Sequence, residues 1–273
     1  MALSKLLGAE SGNLVEARSS SGTVSVVSTP VRTGGFCYRT NPTTTATGFF
    51  VVGAVTVGGG NGDLNIATMY ARFYFRYATK ATVGDENIFR ARDNAAARKF
   101  ELRLDLNSNL VAYNAAGTLL ATGTSLIDVN RYYRIEVLTG TGASADWQVR
   151  VDGVLEISGT ANLGTVNNGD CSLGKEVNFN GNTVDYFYDD ILIDDAAFPG
   201  PGQIEMMAAD GDGTDTAWSG TFTNVDEVPP HDGDTTFSTS SLSGDAETYN
   251  LESTTSAGIP AGSKVNGAIN III

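Results

Sequence analysis

This chain holds little of what nucleophilic and metal chemistry usually draws on. Its 273 residues include two cysteines and one histidine. Cys37 and Cys171 lie far apart, no CxxC occurs, and His231 stands alone in a loop beside Pro230 and Asp232. A Cys/His zinc site and a histidine-based nucleophile relay are therefore both poorly supplied. The two cysteines could pair across a sandwich. The amino-terminal stretch MALSKLLGAESGN has one lysine and no adequate apolar run for a secretory signal, so two buried thiols are the expectation. The same feature points to a protein made and assembled inside a cell. No apolar run approaches the length of a membrane span. Neither an amphipathic helix nor an internal repeat is visible.

Basic charge is missing from a long stretch. From Glu176 to Ser263 there is no Lys or Arg against 17 acids, whereas residues 1–175 carry 16 Lys/Arg and 14 Asp/Glu. The net charge is −14. Phosphate contact needs cations, so nucleic-acid binding by the acidic stretch is excluded. Such a segment suits calcium, a basic partner surface or plain solubility, and solubility is the simplest of the three.

What is present is a β pattern. Thirty-two glycines against seven prolines, with 41% hydrophobic residues, suit short strands around a sizeable core. The run from Arg131 to Gly153 carries the clearest signal. Tyr133, Ile135 and Val137 share one face of a first strand, with Arg134 and Glu136 on the other. In the next, Trp147, Val149 and Val151 point in while Gln148 and Arg150 point out. Period-2 alternation of this kind predicts antiparallel strands with one wet face. Asp152-Gly153 then supplies a tight hairpin into Val154–Ile157.

Further strands are expected near 23–28, 32–38, 48–57, 69–77, 88–91, 100–106, 110–113, 118–121, 170–177 and 184–193. Together they predict an all-β antiparallel sandwich over residues 1–198. Phe198-Pro199-Gly200-Pro201-Gly202 reads as a stiff elbow. Beyond it, residues 199–273 read as a smaller, acidic, β-rich segment, with strands at 203–208, 218–222 and 249–251. It ends on the apolar Val265–Ile273, which needs a pairing partner within the chain or in a neighbour.

The run Arg131–Gly153 resembles the paired strands of concanavalin A-like, laminin-G-like jelly rolls. Val184–Ala197 (VDYFYDDILIDDAA) is similar to their closing strand. The opening VRTGGFCYRT, the elbow, DGDGTDTAWSG and VDEVPPHDGDTTF resemble such domains in structural proteins of tailed bacteriophages. The resemblance spans residues 15–251. It implies sugar binding as a common property of the fold, and in some members hydrolysis by a Glu-x-Asp-x-x-Glu set on one strand. This chain has no such set. Glu101 and Asp105 are its nearest acids, both on an outward face, and Arg103 between them predicts a solvated charge ladder. No catalytic residue is expected.

Asp210, Asp212 and Asp215 in DGDGTD have the carboxylate density of a calcium loop, and calcium is the one cofactor the pattern offers. They lack the downstream bidentate Glu, and an acidic surface turn is the plainer account. Trp147 falls on the core side by parity. Tyr70 and Tyr74, alternating with Arg72 and Arg76, form an outward face suited to protein contact. Arg90, Arg92, Arg98, Lys99 and Arg103 make the only basic concentration, complementary to the acidic half of a neighbouring copy. Val265, Ile269, Ile271 and Ile273 would supply the terminal strand of an interface. The resemblance with these surfaces implies a non-enzymatic virion component, a capsid decoration or tail fibre. Its partners would be copies of itself and other virion proteins, with no nucleic acid and no membrane. The alternative is a glycan-binding adhesin module, calcium-dependent at Asp210 and Asp212, with a cell-surface glycan as partner.

Overall fold

The computed structural model describes residues 3–55, 61, 62, 64–176, 181–205, 207–224, 238–253, 256, 257 and 259. In chain order the strands are β1 (Leu3–Leu7), β2 (Ser19–Gly22), β3 (Val24–Val27), β4 (Cys37–Thr40), β5 (Gly48–Val55), β6 (Asn61–Gly62), β7 (Met69–Thr79), β8 (Glu86–Asp93) and β9 (Arg98–Leu104). They continue as β10 (Leu110–Asn114), β11 (Leu119–Thr122), β12 (Tyr133–Thr139), β13 (Ala145–Val151), β14 (Val154–Ala161), β15 (Asn168–Lys175), β16 (Asp185–Asp194), β17 (Ala209–Thr216) and β18 (Glu247–Leu251). Every ladder is antiparallel.

Two eight-stranded sheets form the sandwich. Sheet I runs β14-β13-β12-β7-β16-β4-β3, with β1 also on β16. Sheet II runs β11-β10-β9-β8-β15-β5-β2, with β6 on β5. The alternation seen in the sequence places the core between them. Phe100, Leu102 and Leu104 of β9 point inward, as do Phe73 and Phe75 of β7 and Ile135, Val137 and Val149 of the central hairpin. Asp152 and Gly153 turn that hairpin with φ of 52° and 89°, the positive values a tight turn requires.

Aromatic pairs join the sheets across the core. Tyr38 stacks on Phe50 with ring centres 4.4 Å apart, and Phe73 lies parallel to Phe89 at 5.6 Å. Phe100 meets Trp147 at 5.8 Å, and Tyr188 donates its hydroxyl proton across the sandwich to the Ile88 carbonyl at 3.0 Å. Such pairs add about 0.5–1.5 kcal/mol each beyond the area they bury. Cys37 and Cys171 are buried and unpaired, one in each sheet.

Four segments differ from expectation. The strand expected at 203–208 is absent from its described residues 203–205, 207 and 208, where the Ile204 N–H is taken by the Asp190 carboxylate instead of a ladder. The other three differ for equally local reasons. Residues 32–36 form a loop, because side chains satisfy the backbone donors that a ladder would otherwise take. Asp189 accepts the N–H of Arg32 at 2.8 Å, and Glu10 accepts that of Gly35 at 2.8 Å. The stretch ADGDGTDT is a strand, β17, paired with β18 in a separate two-stranded sheet. Its backbone pairs without an apolar face, so no periodicity announces it. Residues 218–222 are no strand; a short 3₁₀ turn begins at Phe222.

The elbow lies on sheet I. Arg72 donates to the carbonyls of Asp190 and Gly200 at 3.1 and 3.3 Å, and Gly200 donates its N–H to Glu136 at 2.8 Å. A bulge in β16 puts Asp190 at φ 48°, a conformation Asp tolerates, and turns its carboxylate toward Arg32, Thr33 and the Ile204 N–H. Burial, and then the adjacent Asp190 charge, push Asp189 up to about 8. Burial likewise pushes Glu10 up to about 7, with Glu205 and Glu16 adding to it against the hydrogen bonds from Gly35 and Phe36.

Two measurements check this arrangement. Phe73→Ala is expected to cost about 3–5 kcal/mol in denaturant unfolding, whereas Trp218→Ala, at an exposed site, stays within about 0.5 kcal/mol. Asp189 and Glu10 hold their protons more tightly folded than unfolded. Their contribution is complete at low pH and disappears as pH rises from the ordinary 3.8 and 4.5 through about 8 and about 7. Stability measured in urea should fall between about pH 5 and 8, and Glu10→Gln should flatten that slope.

Candidate functional site

The outward side of sheet II gathers a dense set of charged side chains into one surface. Alternation along β9 turns Glu101 and Arg103 away from the core that Phe100 and Leu102 fill. Strand register then sets Tyr113, Glu101, Arg90, Ser172, Val51 and Ser19 side by side across β10, β9, β8, β15, β5 and β2. Ion pairs run along this row. Arg92 meets Asp170 at 2.6 Å and Glu176 at 3.2 Å, and Arg18 reaches Asp170 at 2.7 Å. Arg90 bridges Glu176 and Glu101, and Arg98 meets Glu101 at 3.2 Å. Arg103 joins Glu101 to Asp85, which it approaches at 3.4 Å.

Glu101 sits at the centre with no exposed surface. Burial alone would push its carboxyl up. Arg90, Arg103 and Arg98 outweigh that and hold it below the usual carboxylate range. The ladder predicted from the sequence is therefore present, but it is buried rather than solvated: the guanidinium groups lie over the carboxylates and take them out of water. A carboxyl held ionised in this way cannot donate a proton to a leaving group at neutral pH.

Beside Glu101 the face opens into a groove of about 330 Å³, lined by Asp85, Asp105, Val111, Tyr113, Leu119 and Thr122 among others. The Tyr113 ring forms one wall, with the Arg103 guanidinium 4.1 Å from its centre. Burial, and after it the Asp85 carboxylate that the hydroxyl faces, push Tyr113 up to about 12. Its hydroxyl stays protonated through the neutral range and is a donor rather than a base. Asp105 is occupied by the turn that follows β9, accepting the N–H groups of Asn107 and Asn109 at 2.8 Å each. Arg98 keeps the most open guanidinium of those around Glu101, with 27% of its side chain exposed. Periodicity had put Glu101 and Arg103 outward; Tyr113 and Asp85 went unnoticed because only pairing with distant strands brings them together.

The other residues singled out in the sequence fall elsewhere. Tyr70, Arg72, Tyr74 and Arg76 do point outward from sheet I. Arg72 and Tyr74, however, are only 3% and 6% exposed, beneath the elbow and the 30–34 loop. Arg32 lies 3.4 Å over the Tyr74 ring, so the chain's own segments take much of the face expected to meet partners. Lys99 is buried, its ammonium donating to Thr141 at 2.9 Å and to the Val166 carbonyl at 2.5 Å. Burial lowers it to about 8. Asp210, Asp212 and Asp215 lie along β17 rather than in a loop, and Asp212 accepts the Phe222 N–H at 2.6 Å. Among the described residues no group of three or more His, Cys, Asp or Glu could hold a metal ion. His231 and the terminal Val265, Ile269, Ile271 and Ile273 lie outside the described residues.

No protein-family model matches the chain, and comparison with curated proteins returns no match. Solved structures do match. An endo-β-1,4-glucuronan lyase from the fungus Trichoderma reesei superposes with a TM-score of 0.53 at 13% identity, over 67% of this chain and 92% of the lyase. The cellulose-induced protein Cip1 superposes with a TM-score of 0.51 at 14% identity, over 67% of this chain and 89% of that one. The fold is thus a concanavalin A-like jelly roll, as the paired strands suggested. The likeness corrects the expectation of a non-enzymatic virion component. The architecture that resembled a phage surface domain is one that a polysaccharide lyase uses, and no phage, capsid or tail-fibre assignment finds support.

Glu101→Gln is expected to destabilise the fold by about 3–5 kcal/mol, since it leaves three guanidinium groups around a neutral amide. Because the folded-state value of Glu101 lies below the ordinary 4.5, its contribution is complete above that pH and is lost as pH falls through the lower value. Acid unfolding of the parent should therefore be steeper below about pH 4.5 than that of E101Q, as followed by circular dichroism.

Proposed function

We propose that this chain is a polysaccharide-cleaving enzyme that takes uronate-containing glycans on the outward face of sheet II. The observation that carries the reading is a concentration of guanidinium groups in one place on a strongly acidic chain. Five arginines (Arg18, Arg90, Arg92, Arg98 and Arg103) meet four carboxylates there (Asp85, Glu101, Asp170 and Glu176), beside a groove walled by a protonated tyrosine. A polyanion approaching a chain of net charge −14 has few places to land, and this face is one. The fold shared with the glucuronan lyase supports the same class of substrate.

In this reading Arg98, the most open of the guanidinium groups around Glu101, engages a uronate carboxylate. Arg103, stacked on Tyr113, holds the tyrosine ring in place. Tyr113, which stays protonated through the neutral range, donates its proton to the departing glycosidic oxygen. Elimination next to a carboxylate breaks the C5–H and C4–O bonds: the Asp85 carboxylate in the same groove takes the C5 proton, the C4–C5 double bond forms, and the glycosidic oxygen leaves with the Tyr113 proton, which Asp85 then returns to the tyrosine. With Glu101 sealed among arginines, the site fits elimination better than hydrolysis.

The test is depolymerisation of polyglucuronate and alginate, with neutral glucans as controls, followed by the ultraviolet absorbance of the unsaturated uronate ends. Cleavage of a polyuronate is expected. Tyr113→Phe should lower the rate by about 10²-fold or more with the fold intact, and Arg98→Ala should raise KM more than it lowers kcat. Retention of polyuronates without cleavage would sink the enzyme and leave a binding module. Neither cleavage nor retention would sink both.

A further inference from the structure

The opposite sheet carries a second groove whose chemistry differs from the arginine face. It has a volume of about 320 Å³ and sits at the rim of sheet I, where the start of β7 meets the loop between β12 and β13. Tyr70, Leu138, Thr141, Ser144 and Asp146 line it, and among the described residues no lysine or arginine does.

The groove is built to hold its shape. Tyr70 is half-buried, with its ring set edge-to-face against Phe198 at 5.1 Å and 79°. Phe198 is covered in turn by the Arg150 guanidinium at 3.9 Å. The tyrosine ring is thus fixed in orientation by the first residue of the elbow. The loop on the far side is pinned by its backbone: Gly140 donates to the Asp146 carbonyl at 2.9 Å, Gly142 to the Gly164 carbonyl at 2.7 Å, and Leu163 back to the Gly142 carbonyl at 3.0 Å.

The polar groups are oriented too. Lys99 donates to the Thr141 hydroxyl oxygen from below, which leaves the hydroxyl proton of Thr141 free to donate to a ligand. Asp146 is exposed on β13 and presents its carboxylate as an acceptor. A flat aromatic, an apolar floor from Leu138, one fixed donor and one acceptor are the parts that recognise a pyranose with neutral hydroxyls. The ring's C–H face meets the tyrosine, and its hydroxyls pair at the edge. A neutral hydroxyl can donate to Asp146, which an ionised uronate carboxylate cannot.

We propose that this groove is a binding subsite for a neutral pyranose, on the face of the sandwich opposite the arginine ladder. It stands on its own residues and does not require the polyuronate reading to hold. Residues of the central hairpin, of β7 and of the segment before it form the groove, with Phe198 of the elbow packed behind Tyr70.

The experiment is titration calorimetry of the full chain against cellohexaose, xylohexaose, mannohexaose and galactohexaose. At least one is expected to bind. Tyr70→Ala and Asp146→Ala should each weaken that binding about tenfold or more, about 1.4 kcal/mol. Tyr70→Phe should keep most of the affinity, since the ring and its packing on Phe198 remain; that variant separates stacking from any loss of fold. Tyr113→Phe and Arg98→Ala on the other sheet should leave it unchanged. Failure of all four sugars to bind at millimolar concentration would overturn the proposal. So would an affinity that Tyr70→Ala leaves intact, or one that falls with Tyr113→Phe instead.

Discussion

Three guanidinium groups converge on the carboxylate of Glu101, and much of the outer surface of sheet II is arranged around that convergence. One strand, β9, supplies both sides of the bargain. Its even residues Phe100, Leu102 and Leu104 build the core, while Glu101 and Arg103 between them build the charged row. A shift of one residue in register would bury arginine among phenylalanines, which is why core packing also fixes the site. The ionic row costs desolvation and contributes no driving force comparable to the core. What it supplies is definition: each guanidinium has a fixed carboxylate partner, and the Tyr113 groove opens beside the row.

The two outward faces differ in what covers them. On sheet I the elbow and the 30–34 loop lie across Arg72 and Tyr74, tied down by Asp189, Asp190 and Glu136. The rim at Tyr70 stays open. On sheet II the arginine row is covered largely by its own side chains, and the groove at Tyr113 opens beside it. A sandwich of this kind can present two chemically different surfaces from one core. Here one carries a row of paired arginines and carboxylates, and the other is aromatic at its rim.

Much of the architecture was legible in the sequence, because period-2 alternation in β7, β9, β12 and β13 names the inward residue at each step. Trp147 went to the core and the Asp-Gly pair to a hairpin for the same local reason. Position in the third dimension was not legible. The outward face of β7 looked open because nothing in its sequence shows that residues 200–204 return to cover it. The 32–36 segment looked like a strand because its donors are taken by Asp189 and Glu10, more than twenty residues away in either direction. Tyr113 and Asp85 carry no motif at all. The phage resemblance rested on the order of weak turn-rich stretches, and those reflect how β-sandwiches are connected rather than what they do.

The most direct measurement is a crystal structure of the protein soaked with an oligoglucuronate. A sugar carboxylate within hydrogen-bond distance of Arg98, with a glycosidic oxygen facing the Tyr113 hydroxyl, is the predicted result. An oligosaccharide seated elsewhere on the molecule, with the Tyr113 groove empty, would contradict the account.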